Sequence, residues 1–104
     1  MQVLVNSDNH IEASQEFITN VGTRVGDKIK RFEDHLTRVE VHLRDENAHK
    51  AGGNDKRCLI EARPKGRDPI SVSHNADHLE QAIEGAISKL TTVLERDISK
   101  TRVN

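Results

Sequence analysis

Tryptophan and tyrosine are absent from the 104-residue sequence, and Phe17 and Phe32 are its only aromatic residues. That excludes the base-stacking platforms on which single-strand binders and RNA-recognition sheets depend. A single cysteine, Cys58, rules out an internal disulfide and leaves no cysteine cluster for structural zinc, so a reducing cytoplasm is the expected compartment. No apolar run approaches the ~20 residues that cross a bilayer as a helix, and the amino terminus lacks the basic-then-apolar layout of a secretion signal. An excess of either charge is missing too, since 16 Lys and Arg against 17 Asp and Glu leave a formal net charge of -1. What remains is a chain 32% charged and 34% hydrophobic, of a length that suits one domain, residues 1–104, around one small core.

The stretch "QVLV" at Gln2 to Val5 alternates and is followed by turn residues in "NSDN", which predicts a first strand. From Ile18, the apolar positions Val21, Val25, Ile29, Phe32 and Leu36 recur in steps of three and four, which predicts a helix from near Glu12 to near Leu36. Gly22 and Gly26 fall inside that stripe, where each costs about 1 kcal/mol relative to Ala, so close packing against a neighbour is expected there. "RVEVHLR", Arg38 to Arg44, alternates strictly, with Val39, Val41 and Leu43 on one face and Arg38, Glu40, His42 and Arg44 on the other. The polar stretch from Asp45 to Asp55, with Gly52 and Gly53, predicts a long and mobile hairpin connection.

Two more strands follow, Lys56 to Arg63 and Pro69 to Asn75, joined by the "PKGRD" turn; Cys58, Ile60 and Ala62 should face the core with Ile70 and Val72. Asp77, three residues before Glu80, resembles the start of a capping box for a second helix, whose buried stripe is Leu79, Ile83, Ile87, Leu90 and Leu94. The order β-α-β-β-β-α predicts an α+β fold in which a four-stranded sheet carries both helices on one face and keeps its other face polar.

Catalytic groupings are hard to find. His74 and His78 share "HNADH", which spans a strand end and a helix start rather than one helical face, so a zinc pair is not expected. Alternation turns Cys58 inward as a small hydrophobe, and Ser71 and Ser73 lack the sharp-turn motif that activates a serine. The glycines of "KAGGND" do not lead from a strand into a helix and so form no phosphate loop. Neither an enzyme, a metal site nor a cofactor is expected.

The distribution of cations is more informative than their sum. Lys28, Lys30 and Arg31 cluster late in the first predicted helix, while Lys89, Arg96 and Lys100 follow one face of the second at spacings of seven and four, with Thr92 in the gap. If the helices lie side by side, their outer faces would combine into one basic surface along an RNA backbone. The same residues also suit a solvated helix face, or cations complementing a helix C-terminus. Two other classes stay open: a regulatory module that meets a protein partner through its acidic surface, and a general duplex-RNA binder.

"KIKRFEDHL" leading into "TRVEVHL", and above all "DHLEQAIEGAISKL" from Asp77 to Leu90, resemble the short ribosome hibernation-promoting factors and ribosome-associated translation inhibitors, also called sigma modulation proteins. The resemblance spans essentially the whole chain and is most specific at Ala82, Ile83, Gly85, Lys89 and Leu90. It implies a fold similar to a double-stranded-RNA-binding domain with an extra leading strand, and binding to the small ribosomal subunit where messenger and transfer RNA would sit. It also implies that the ribosome-facing basic positions fall on Lys28, Arg31, Lys89, Arg96 and Lys100, which would grip ribosomal RNA phosphates without reading bases. Thr92 and Asp97 stand where the family often carries cations, so weaker affinity is expected. With its end at Asn104, the chain is expected by this resemblance to be of the short type, and a monomer with no DNA partner is the expected free state.

Overall fold

The computed structural model describes residues 1–9, 11, 13–46, 53 and 55–102, and their side chains as far as residue 98. Its elements are β1 (Gln2–Ser7), α1 (Gln15–Lys28), a 3-10 segment (Lys30–His35), β2 (Leu36–Asp45), β3 (Lys56–Pro64), β4 (Ile70–Ala76) and α2 (Leu79–Arg102). The fold is α+β in the order β-α-β-β-β-α, as the hydrophobic patterning predicts. Most of the connection expected to be mobile lies outside the described residues.

Alternation does the work in the sheet. Val39, Val41 and Leu43 of β2 and Cys58, Ile60 and Ala62 of β3 are all buried on one face. The strands lie in the order β1-β2-β3-β4, with β1 parallel to β2 and the other neighbours antiparallel. A parallel neighbour requires a crossover, and α1 supplies it. Helix α1 covers the β1 side, placing Val21 and Val25 over the half-buried Val3 and Val5, while α2 lays Ala82, Ile83, Ala86, Leu90 and Leu94 over β3 and β4.

The first helix is shorter than the apolar stripe suggests. Ser14 caps it by accepting a hydrogen bond at Oγ from the Phe17 amide (3.0 Å), so the helix starts at Gln15 rather than near Glu12. At Ile29, φ of -109° and ψ of 13° end the regular helix, and the Phe32 amide then bonds to the Ile29 carbonyl at 2.9 Å. A 3-10 turn repeats every three residues, so Ile29 and Phe32 still face the core although the helix has changed type. Leu36, expected at the helix end, instead opens β2.

The start of α2 is displaced in the same way. The first helical bond runs from the Ala82 amide to the carbonyl of His78, which makes His78 the capping position in place of Asp77. At the far end of the β2–β3 ladder, Lys56 Nζ donates to Asp45 (2.9 Å) and Asp55 (3.4 Å), and the Glu46 amide bonds to the Asp55 carbonyl at 2.8 Å. The hydrogen bond to Asp45 is the main cause of a Lys56 pKa above the usual lysine value. The shorter β3–β4 turn carries Gly66 at φ 69°, a conformation that glycine adopts without strain.

Candidate nucleic-acid interface

On α2, Lys89 and Arg96 differ by seven residues, hence by about 20° around the axis, and both are exposed. They line the flank that leans toward β4. There Lys89 Nζ donates to the Ser73 carbonyl at 2.8 Å, above a shallow groove lined by Val72, Ser88, Thr92 and Val93. Arg96 has no ion pair among the described residues. Lys100 continues the same helix, but its side chain is outside the described set.

Lys28 and Arg31 lie on the opposite side of α2. Lys28, in the last turn of α1, borders a second groove shared with Glu84, Ser88, Thr91 and Thr92. Arg31 belongs to the 3-10 segment, pairs with Glu95 at 3.2 Å and stands over the Phe32 ring, 4.6 Å from its centre. Thr92 borders both grooves and so occupies the ridge between the two sets of cations.

The helices do lie side by side, yet Lys28 and Arg31 do not merge with Lys89 and Arg96 into the single surface expected from the sequence. Glu84 is about 140° around α2 from Lys89, so the helix turns acids toward α1 and cations toward β4. Arg24 of α1 donates to Glu80 (2.8 Å) and to Glu84 across the helix interface. Burial works against the Arg24 charge, but its hydrogen bonds to Glu84 and Glu80 prevail and hold its pKa above the usual arginine value. Glu80, Glu84 and Glu95 thus form an acidic seam, paired with arginines, between Lys28 and Lys89. No periodicity within one helix reveals this seam, because it depends on how α2 is rotated against its neighbours.

The uncovered face of the sheet, for which alternation predicts only a polar character, carries a second set of charges. Arg38, Glu40, His42 and Arg44 project from β2, and Arg57, Leu59, Glu61 and Arg63 stand opposite them on β3. Ligand atoms of Glu40, His42 and Glu61 lie within 4.8 Å of one another, a grouping the expectation of no metal site had not foreseen. Arg38, whose Nε is 3.6 Å from Glu40, opposes a cation there. Strand alternation assigns each of these residues to a face, but only the cross-strand register brings them together.

The remaining reactive groups are sequestered or scattered. Cys58 is fully buried, and burial pushes its thiol up to about 12, which removes the thiolate needed for nucleophilic chemistry at neutral pH. His74 lies beneath α2, His78 and His35 are exposed at element ends, and His10 and His49 are outside the described residues. Among the described residues no helix is long and apolar enough to cross a membrane.

Comparison with known proteins gives this geometry a family context. The sequence profile of the family described as "Sigma 54 modulation protein / S30EA ribosomal protein" matches residues 4–102. No curated protein sequence matches significantly. Among solved structures, a ribosomal subunit interface protein from Coxiella burnetii superposes with a TM-score of 0.70 at 13% identity, covering 95% of this chain and 99% of that one. The N-terminal domain of Protein Y from Thermus thermophilus superposes with a TM-score of 0.65 at 22% identity, covering 92% of this chain and 98% of that one. At these identities the two structures establish a shared fold.

Proposed function

The chain belongs to the Sigma 54 modulation protein / S30EA ribosomal protein family, and we propose that it is a stress or stationary-phase factor that binds the small ribosomal subunit. In this reading it occupies the decoding region, inhibits translation and promotes ribosome hibernation, without catalysis and in the cytoplasm where ribosomes are. Family membership over nearly the whole chain is the observation that carries the proposal. The name of the Coxiella relative, a ribosomal subunit interface protein, supports it.

The proposed contacts to ribosomal RNA are Lys28, Arg31, Lys89, Arg96 and Lys100, which meet phosphates as point charges or guanidinium forks and release counterions. An acidic docking surface is the weaker reading, because Glu80, Glu84 and Glu95 are already engaged by Arg24 and Arg31.

Co-sedimentation with isolated small subunits tests the proposal. Binding should fall steeply as salt rises and should be reversed by initiator transfer RNA, which competes for the same place. A protein that stays in the supernatant at low salt, or that binds equally well with the transfer RNA present, is not such a factor.

A further inference from the structure

Like charges face one another on the uncovered side of the sheet. Arg38 is opposite Arg63, Glu40 opposite Glu61, and Arg44 opposite Arg57. Directly opposed like charges destabilise a sheet, so three such pairs in one ladder call for a compensating use. Local pairing relieves only part of the repulsion: Arg38 reaches Glu40 at 3.6 Å, His42 reaches Glu61 at 3.9 Å and Arg57 reaches Glu46 at 3.7 Å. These distances exceed those of hydrogen bonds, and the buried Nε atoms of Arg38, Arg57 and Arg63 have no hydrogen-bond partner. Among the described residues, Arg44 and Arg63 have no ion pair. The contrast with the helical side is sharp, since Arg24 and Arg31 there are both matched by glutamates. A chain whose charges almost cancel thus keeps surplus positive charge on the face that no helix covers.

We infer that this open face is a second RNA-binding surface, on which the Arg38/Arg63 and Arg44/Arg57 pairs each grip backbone phosphate. The inference rests on the ribosome-binding proposal and adds a face to it. Arginine suits the task because its planar fork binds phosphate through two hydrogen bonds, and a phosphate set between two guanidinium groups removes their mutual repulsion. Arg38 and Arg44 are six residues apart on β2, about 20 Å at roughly 3.4 Å per residue, so the two pairs hold separate phosphates. Glu40 and Glu61 lie between them and repel phosphate from the middle of the face. Leu4 and Leu59 are the apolar residues there and no aromatic is present, so the contact is to backbone and shape rather than to stacked bases. With Lys89 and Arg96 on the helical side, the domain has basic groups on two faces.

The double variant Arg44→Gln/Arg63→Gln removes the two arginines of the open face that pair with no carboxylate among the described residues, and so strands no glutamate. It would be titrated over a salt series against two probes, protein-free small-subunit ribosomal RNA and isolated small subunits. We expect binding to both to weaken at least ~10-fold near ~0.1 M salt, with the salt slope shallower by about two units. The melting temperature should equal or exceed the parent's, because two opposed like-charge pairs are relieved, and this separates lost binding from lost folding. Unchanged affinity and slope on the RNA overturn the inference, as does a parent protein that leaves the RNA unbound at low salt. Loss on subunits alone also overturns it, and would assign the face to a ribosomal protein. If the RNA behaves as expected but the parent does not bind subunits, the ribosomal proposal fails while the RNA-binding face stands.

Discussion

The imidazole of His74, on β4, fills the space that a Cβ on Gly85 would need. An ideal methyl there would come closer to the ring than non-bonded atoms approach, so helix and strand meet at this point only because position 85 has no side chain. Gly85→Ala must displace the ring or lift α2 from β4, and should destabilise the protein by about 1–3 kcal/mol in denaturant titration. His74→Ala in the same background should restore part of the loss. A Gly85→Ala protein as stable as the parent would show that the ring moves freely.

Gly22 and Gly26 should respond in the opposite sense. The sequence suggested close packing at both, and β1 is indeed adjacent, but a Cβ would meet Val5 Cγ2 at 3.5 Å and Val3 Cγ2 at 3.9 Å, which is ordinary contact. Replacing either with Ala should stabilise the protein by up to about 1 kcal/mol, through the gain in helix propensity. Destabilisation by either change would mean that α1 sits closer to β1 than these distances allow.

The strand register can be tested at adjacent positions. Val41 is fully buried, so Val41→Asp should abolish cooperative thermal unfolding by placing a charge in the core. His42→Asp should leave the protein folded. Its neighbourhood is not neutral, however: a third carboxylate beside Glu40 and Glu61 should lower stability by up to about 1 kcal/mol, more at low salt than at high. Equal losses at the two sites would refute the register.

Alkaline pH provides a test of core burial. Burial raises the Cys58 thiol from 9.0 to about 12, so the unfolded chain loses this proton before the folded one does. The contribution is complete below pH 9 and is lost as pH rises from there toward 12, by up to about 1.4 kcal/mol per pH unit. Stability measured across that window should fall less steeply in Cys58→Ala, whatever its absolute value. Rapid alkylation of the native thiol at pH 8 would contradict the burial.

Thr92 separates the two grooves, and its substitution tests the helical contacts. Thr92→Arg adds a cation on the ridge between Lys28 and Lys89, and should tighten small-subunit binding while steepening the salt slope by about one unit. Changing Lys89, Arg96 and Lys100 together to Gln should do the reverse, with stability within about 0.5 kcal/mol of the parent. Salt titrations that superpose for both variants and the parent would remove α2 from the binding surface.

Much of the architecture was legible because one-sided burial imposes a period. Val39, Val41 and Leu43 could only alternate, and Val21, Val25 and Ile29 could only share a helical face. The change at Ile29 was not legible, since a spacing of three residues to Phe32 satisfies an α-helix and a 3-10 turn alike. The candidate site was less accessible for a related reason. Periodicity gives the face a residue occupies but not what it faces, so neither the acidic seam against α1 nor the opposition of Arg38 to Arg63 follows from one segment alone. Both need the positions of two elements at once.

The parallel pairing of β1 with β2 also sets an order of events during folding. The β2–β3 and β3–β4 pairings join neighbouring strands, whereas β1 meets its partner only after α1 and the 3-10 segment have intervened. Closing that longer loop loses more chain entropy before any contact rewards it, so the three-stranded meander with α2 should form first and β1 should dock onto it. Synthesis runs the other way, producing β1 before any strand it can join. Val3 and Val5 therefore wait uncovered on the growing chain until β2 has been made and α1 can close over them.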